Sequence, residues 1–173
     1  IQDRLAKATF TIDRKAPRLS WNIFVLNSKS PNAFSTGAGV IFLTRGIIKE
    51  SQTEAELASI ISHEMAHQML GHITRVIGEQ GLSDEMPTFE FSIEDELAAD
   101  ALGFEVLRRA NYDTKHALTA LTTIYRAQRQ KVSSVPKWLN ERSVALQRMI
   151  AQAPKSNKRT RSSREFKRVK RKL

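Results

Sequence analysis

An α+β fold, mainly helical with a small β-sheet set beside one central helix, is predicted by three features of the sequence. The strand-like runs lie early, LSWNIFVL at residues 19–26 and VIFLT at 40–44, and both are rich in β-branched and aromatic residues. Everything after them repeats its apolar residues at helical spacing. Helix start and stop signals, a capping residue at one end and a glycine or proline at the other, cluster in that second part.

In chain order, residues 1 to about 7 read as the end of a helix. The first run alternates, with Trp21, Ile23 and Val25 on one side, and NSKSPNAFSTGAG joins it to the second as a loop. Thr53, with Glu56 three residues on, makes a capping-box start, Leu57, Ile60 and Ile61 supply an apolar stripe, and Gly71 is a stop. A polar connection through Gly78, Gly81 and Pro87 reaches Ser92, which caps a helix to about Ala110. A further helix runs from near Asp113 to near Gln130, and a last one from near Asn140 to just before Pro154.

A chain of 173 residues with 40% apolar content suits one domain with its own core. No window approaches the roughly eighteen apolar residues of a membrane-spanning helix. With no cysteine, disulfides and cysteine-ligated metals are excluded, so any metal must be held by His, Asp or Glu. The net charge of +10 is unevenly placed: ten of the 28 basic residues fall in 155–173 beside one acid, Glu165, and the remainder is nearly neutral. The reading is a body of residues 1–153 and a flexible basic tail of 154–173.

The chemistry sits in HEMAHQMLGH, residues 63–72. His63 and His67, four apart, project from one helix face and can converge on one ion, while His72 is turned away and reads as a packing or supporting residue. Glu64 can reach the open coordination position and act as a base. A third histidine six residues after the second, as in one class of zinc peptidase, is ruled out because Ile73 stands there. The alternative is a carboxylate from a later helix, and SIEDELAAD offers Glu94, Asp95, Glu96 and Asp100, of which Glu96 and Asp100 lie a turn apart. Spacing alone does not choose among them.

Three stretches, NAFSTGAGVIFLTRGII, EAELASIISHEMAHQMLGH and ELAADALGFEVLRRANYD, occur in the order found in the HtpX/BepA/Oma1-like zinc metallopeptidases, and the chain resembles that family. The resemblance implies a zincin-like metalloprotease domain of the gluzincin type that hydrolyses peptide bonds with one Zn²⁺ per chain. Glu96 would complete the ligand set with His63 and His67, Glu64 would be the catalytic base, and Asp100 would orient a ligand histidine. Asn32, Gly37, Ala38 and Gly39 would border a cleft that takes unfolded or extended polypeptide through main-chain hydrogen bonds. Many relatives carry a His-Pro pair before the last helix, whereas Val135 precedes Pro136 here. Arg142 is then expected to supply transition-state charge, or turnover is low.

The resemblance also implies envelope protein quality control in the bacterial periplasm or cell envelope. A proteolytically weak zinc-containing chaperone or assembly factor is the alternative reading, motivated by Val135. The basic tail suggests an anionic membrane surface as a partner, with Phe166, Val169 and Leu173 along one side of a short helix. Specific nucleic-acid binding is not expected, because no aromatic platform interleaves the basic residues.

Overall fold

The computed structural model describes residues 1–12, 19–80, 90–128, 136–154 and 159–173. Helix α1, Gln2–Ile12, leads into strands β1 (Asn22–Leu26), β2 (Ala33–Gly37) and β3 (Val40–Thr44), then α2 (Arg45–Glu50) and α3 (Glu54–Met69). Five more helices follow: α4 (His72–Gln80), α5 (Ile93–Arg109), α6 (His116–Gln128), α7 (Lys137–Gln152) and α8 (Arg164–Lys170). The α+β expectation holds, with a small sheet against a helical body.

The sheet runs β1-β3-β2, β1 parallel to β3 and β2 antiparallel to it. Strand β2 lies inside the segment read as a loop. Its sequence, AFSTG, has Phe34 as its one large apolar residue and no apolar alternation, because it is an edge strand whose Ser35 faces polar chemistry rather than the core. The turn to β3 places Gly37, Ala38 and Gly39 at positive φ, and a Cβ on Gly39 would stand 2.3 Å from the Ser20 carbonyl oxygen. Along β1, Trp21 and Ile23 turn to the core as expected, but Val25 is 55% exposed, so the inward row fades toward the strand's end.

Helix α3 is the centre of the fold and packs against β2, α5 and α6. It is buried on nearly all sides rather than along a stripe: Ala55, Leu57, Ala58, Ile60, Ile61, Met65 and Ala66 all lose their solvent contact. Thr53 caps its start by accepting from the Glu56 amide, while the Glu56 carboxylate accepts from Gln52 N and the Thr123 hydroxyl. Leu70 ends the helix and Gly71 takes φ +73°, the left-handed step that redirects the chain into α4. That helix lies in the stretch read as a polar connection.

Helix α5 starts at the expected Ser92, whose hydroxyl and the Asp95 carboxylate form a complete capping box. At Gly103 its backbone meets α3 so closely that a Cβ would lie 3.1 Å from His63 Cα. Gly103, Asp100 and Glu96 share one face of α5, so this contact delivers both carboxylates to the histidines.

The C-terminal segment differs most from its composition. Residues 159–173 pack on the body instead of waving free. Thr160 bridges to Tyr112, the Arg161 carbonyl accepts from Ala55 N at 2.9 Å, and Ser162 Oγ accepts from Glu54 N at 3.1 Å. These are amides of the first turn of α3, which have no partner within their own helix. Ser163 N donates to Glu54 Oε2 at 2.7 Å, Ser163 caps α8, and Phe166 is buried at 8% exposure. Arg159 and Lys170 add hydrogen bonds to the Thr114 hydroxyl and the Ser51 carbonyl, so some of the basic side chains serve the docking, which a count of charges does not reveal.

Candidate metal centre

His63 and His67 leave α3 one turn apart, and their Nε2 atoms stand 3.0 Å from each other. Glu96 comes from the first turn of α5, with Oε2 3.4 Å from His63 Nε2 and Oε1 3.6 Å from His67 Nε2. Among the described residues this is the one group of three His, Asp or Glu side chains close enough to share an ion. Ligand atoms about 2.0–2.1 Å from a tetrahedral zinc stand about 3.3 Å apart, so the triangle of two imidazoles and a carboxylate suits such an ion. Two nitrogens and one oxygen leave a fourth position for a reactant.

The supports behind the triangle are polar and buried. Asp100 Oδ1 lies 3.0 Å from His63 Nδ1. Arg142, from α7, donates Nε and Nη2 to the two Asp100 oxygens at 2.7 and 2.8 Å, and its Nη1 contacts Glu96 Oε2. Arg142 therefore faces the carboxylates behind the histidines, with all three guanidinium nitrogens engaged. In this arrangement its charge is shared with Asp100 and Glu96. Val135 lies outside the described residues.

Electrostatics follow from this packing. Burial opposes charge on His63, but the Asp100 and Glu96 carboxylates outweigh it and push its pKa up to about 9. Burial and the neighbouring His63 drive His67 down to about 3. Burial acts against ionised Asp100 as well, yet His63 and Arg142 hold its carboxyl down at about 2, and the same kinds of partner lower Glu96.

Glu64, beside the triangle, is raised by burial to about 7, with His63 and the Ser35 hydroxyl opposing the rise. Ser35 Oγ donates to Glu64 Oε2 at 2.9 Å, linking β2 to the expected base. Neither spacing nor composition singles out Ser35, whose only sequence signal is its place in the NAFSTGAG stretch. On the far side of the triangle, His67 Nδ1 and His72 Nδ1 are 3.1 Å apart, and the Phe91 ring stacks on His67 at 4.0 Å between centroids. Asp95, the capping-box residue, lies next to His72.

The other expected cleft residues are at the sheet. Gly39 N donates to Gln68 Oε1 at 2.7 Å, and Gln68 Nε2 donates to the Val40 carbonyl, so the Gly37-Ala38-Gly39 turn is fastened to the motif helix. Asn32 exchanges hydrogen bonds with Thr44 where β2 begins. Strand β2 pairs with β3 on one side, and no strand among the described residues covers its other edge.

Comparison with known proteins agrees with the geometry. The model of peptidase family M48 matches residues 1–88, half of the chain, which includes the two histidines and Glu64 but stops short of Glu96. The chain is similar to the mitochondrial metalloendopeptidase OMA1 of Arabidopsis thaliana, 28% identical over 58% of this chain and 25% of that protein. It is 24% identical to the OMA1 of Schizosaccharomyces pombe, over 73% of this chain and 49% of the relative. The beta-barrel assembly-enhancing protease of Escherichia coli is 23% identical over 58% of this chain and 27% of its own length. The chain thus spans between a quarter and a half of these relatives. Two of the three side chains of the candidate triangle stand on a helix that the family model covers, and the chain belongs to peptidase family M48.

Proposed function

We propose that this chain is the catalytic domain of a zinc-dependent metalloendopeptidase, with His63, His67 and Glu96 holding one Zn²⁺. The observation that carries the reading is the convergence of these three side chains within 4.8 Å of one another, next to the half-buried carboxylate of Glu64. Zinc in that position would polarise a scissile carbonyl and acidify a water. Glu64 takes the proton from the attacking water and returns it to the leaving amine. Ser35 holds the carboxylate toward β2. Asp100 fixes the His63 ring, and Arg142 balances the charge of Asp100 and Glu96.

Substrate is an unfolded or extended polypeptide segment laid along the open edge of β2, with the Gly37-Ala38-Gly39 turn keeping one end of that edge low. The similarity to beta-barrel assembly-enhancing proteases supports a role in envelope protein quality control, in the periplasm or cell envelope. No helix among the described residues is long and apolar enough to cross a membrane. The exposed Lys167, Arg168, Arg171 and Lys172, with Val169 46% exposed among them, support contact with an anionic membrane surface.

Elemental analysis tests the metal assignment. The parent should carry one zinc per chain, and His63→Ala, His67→Ala and Glu96→Ala should each lose it. Zinc retained at full occupancy in the Glu96 variant would remove that residue from the ligand set.

A further inference from the structure

We infer that His72 is a positioning residue that fixes the tautomer and ring orientation of His67, acting as the middle link of a chain that runs from His67 through His72 to Asp95 and Arg75. The inference rests on the metal reading above. It assigns a task to a histidine that lies outside the ligand triangle.

Hydrogen-bond bookkeeping sets every proton in the chain. His67 points Nε2 into the triangle, so a neutral ring that offers this nitrogen to a metal must carry its proton on Nδ1. Among the described residues the side-chain nitrogen facing that proton is His72 Nδ1, at 3.1 Å, which must then accept and be bare. His72 in turn carries its proton on Nε2, and that nitrogen lies 3.4 Å from Asp95 Oδ1. The Asp95 carboxylate also contacts Arg75 and accepts from Ser92 N at 3.3 Å, so it is held ionised and in place. His72 is itself buried, at 8% exposure, and Phe91 stacks on the His67 ring, so no free rotation is left to either imidazole.

The two ligand histidines are therefore supported differently. His63 has a carboxylate against its second nitrogen directly, that of Asp100, locked by Arg142 from α7. His67 reaches its carboxylate through an intervening imidazole, and the cation at the end comes from α4. Helix α4 thus ties α3 to the capping box of α5, the same helix that delivers Glu96. A partner at the second nitrogen of a ligand histidine is commonly worth 10- to 100-fold in metal affinity.

The test is zinc affinity, by competition with a chromophoric chelator, for the parent and for His72→Phe, His72→Asn and His72→Gln, with circular dichroism to follow folding. Phe fills the space but cannot accept, and should weaken zinc binding about 10- to 100-fold. Asn places an oxygen where Nδ1 was and should restore most of the affinity. Gln reaches instead toward the Nε2 position and should resemble Phe. A space-filling role alone would not order the variants in this way.

Parental affinity in the Phe variant, or rescue by Gln and not by Asn, would overturn the relay. Should the Phe variant fail to fold, ring nitrogen correlation spectra of the zinc-loaded parent still decide: protons are expected on His67 Nδ1 and His72 Nε2, and a proton on His72 Nδ1 would refute the assignment. A parent that takes up no zinc would instead overturn the metal reading itself.

Discussion

Replacing Phe166 by alanine tests whether the basic C-terminal segment is part of the folded body. Phe166 is 8% exposed, and truncating a buried phenylalanine costs about 3–5 kcal/mol in a core. Helix α8 is short and its other described side chains are largely exposed, so the lower end, about 3 kcal/mol, is the better figure. The loss is capped by the free energy that holds residues 159–173 down, since the segment can undock without the rest unfolding. For a chain of this size about 3 kcal/mol corresponds to a melting shift of roughly 6–12 °C.

Undocking would also strip Glu54 N and Ala55 N of their partners at the start of α3. Thermal melting gives the magnitude, and limited trypsin digestion, which cuts at the many Lys and Arg of the segment, reports docking directly. Val169→Ala, at a position 46% exposed, is the control and should stay within about 0.5 kcal/mol of the parent. Equal melting temperatures and equal trypsin sensitivity for Phe166→Ala and parent would refute the docking argument.

Tyr112→Phe removes the 2.8 Å hydrogen bond to Glu54 Oε1 and should cost about 1.5–3 kcal/mol near neutral pH. Burial would raise the Glu54 pKa, but the bonds from Ser163 and Tyr112 outweigh it and hold it below 4.5. Stability from this carboxylate is therefore full above the unfolded pKa and is lost as pH falls through the folded one, so urea titrations should show the Tyr112→Phe deficit shrinking in acid. Arg142→Met leaves the buried Asp100 and the half-buried Glu96 without their guanidinium partner and should destabilise the metal-free chain by about 3–5 kcal/mol in the same assay. Gly103→Ala forces a methyl to 3.1 Å from His63 Cα, should cost about 1–3 kcal/mol, and should weaken zinc binding in chelator competition because Glu96 and Asp100 ride on the displaced helix.

The sequence was most informative where local chemistry and long-range structure agree. Thr53, Gly71 and Ser92 marked helix ends because capping is decided within a few residues, and the spacing of His63 and His67 needed only a helix to become a pair. Glu96 and Asp100 were visible as two carboxylates a turn apart, but their approach to the histidines depends on a glycine on another helix, Gly103, whose role no local pattern reveals. Strand β2 was hidden because an edge strand that serves a polar site has no alternating apolar signal. Helix α4 and the His72 contacts were hidden for a related reason. Their partners, Asp95 and Phe91, are about twenty residues away in sequence and meet them only once α5 has packed on α3. Arg142 was found by position, but its hydrogen bonds to Asp100 were not visible, since sequence cannot say which way a guanidinium turns.

Glu64 as the base beside a metal held by His63, His67 and Glu96 is tested by casein hydrolysis with the zinc-loaded parent and with Glu64→Gln, zinc content being measured on the same samples. One zinc is expected in each protein, with a fall in turnover of at least about 100-fold in the variant, because the amide can hold a water but cannot take its proton. Hydrolysis by Glu64→Gln at the parental rate, with zinc bound in both, would contradict that role of Glu64.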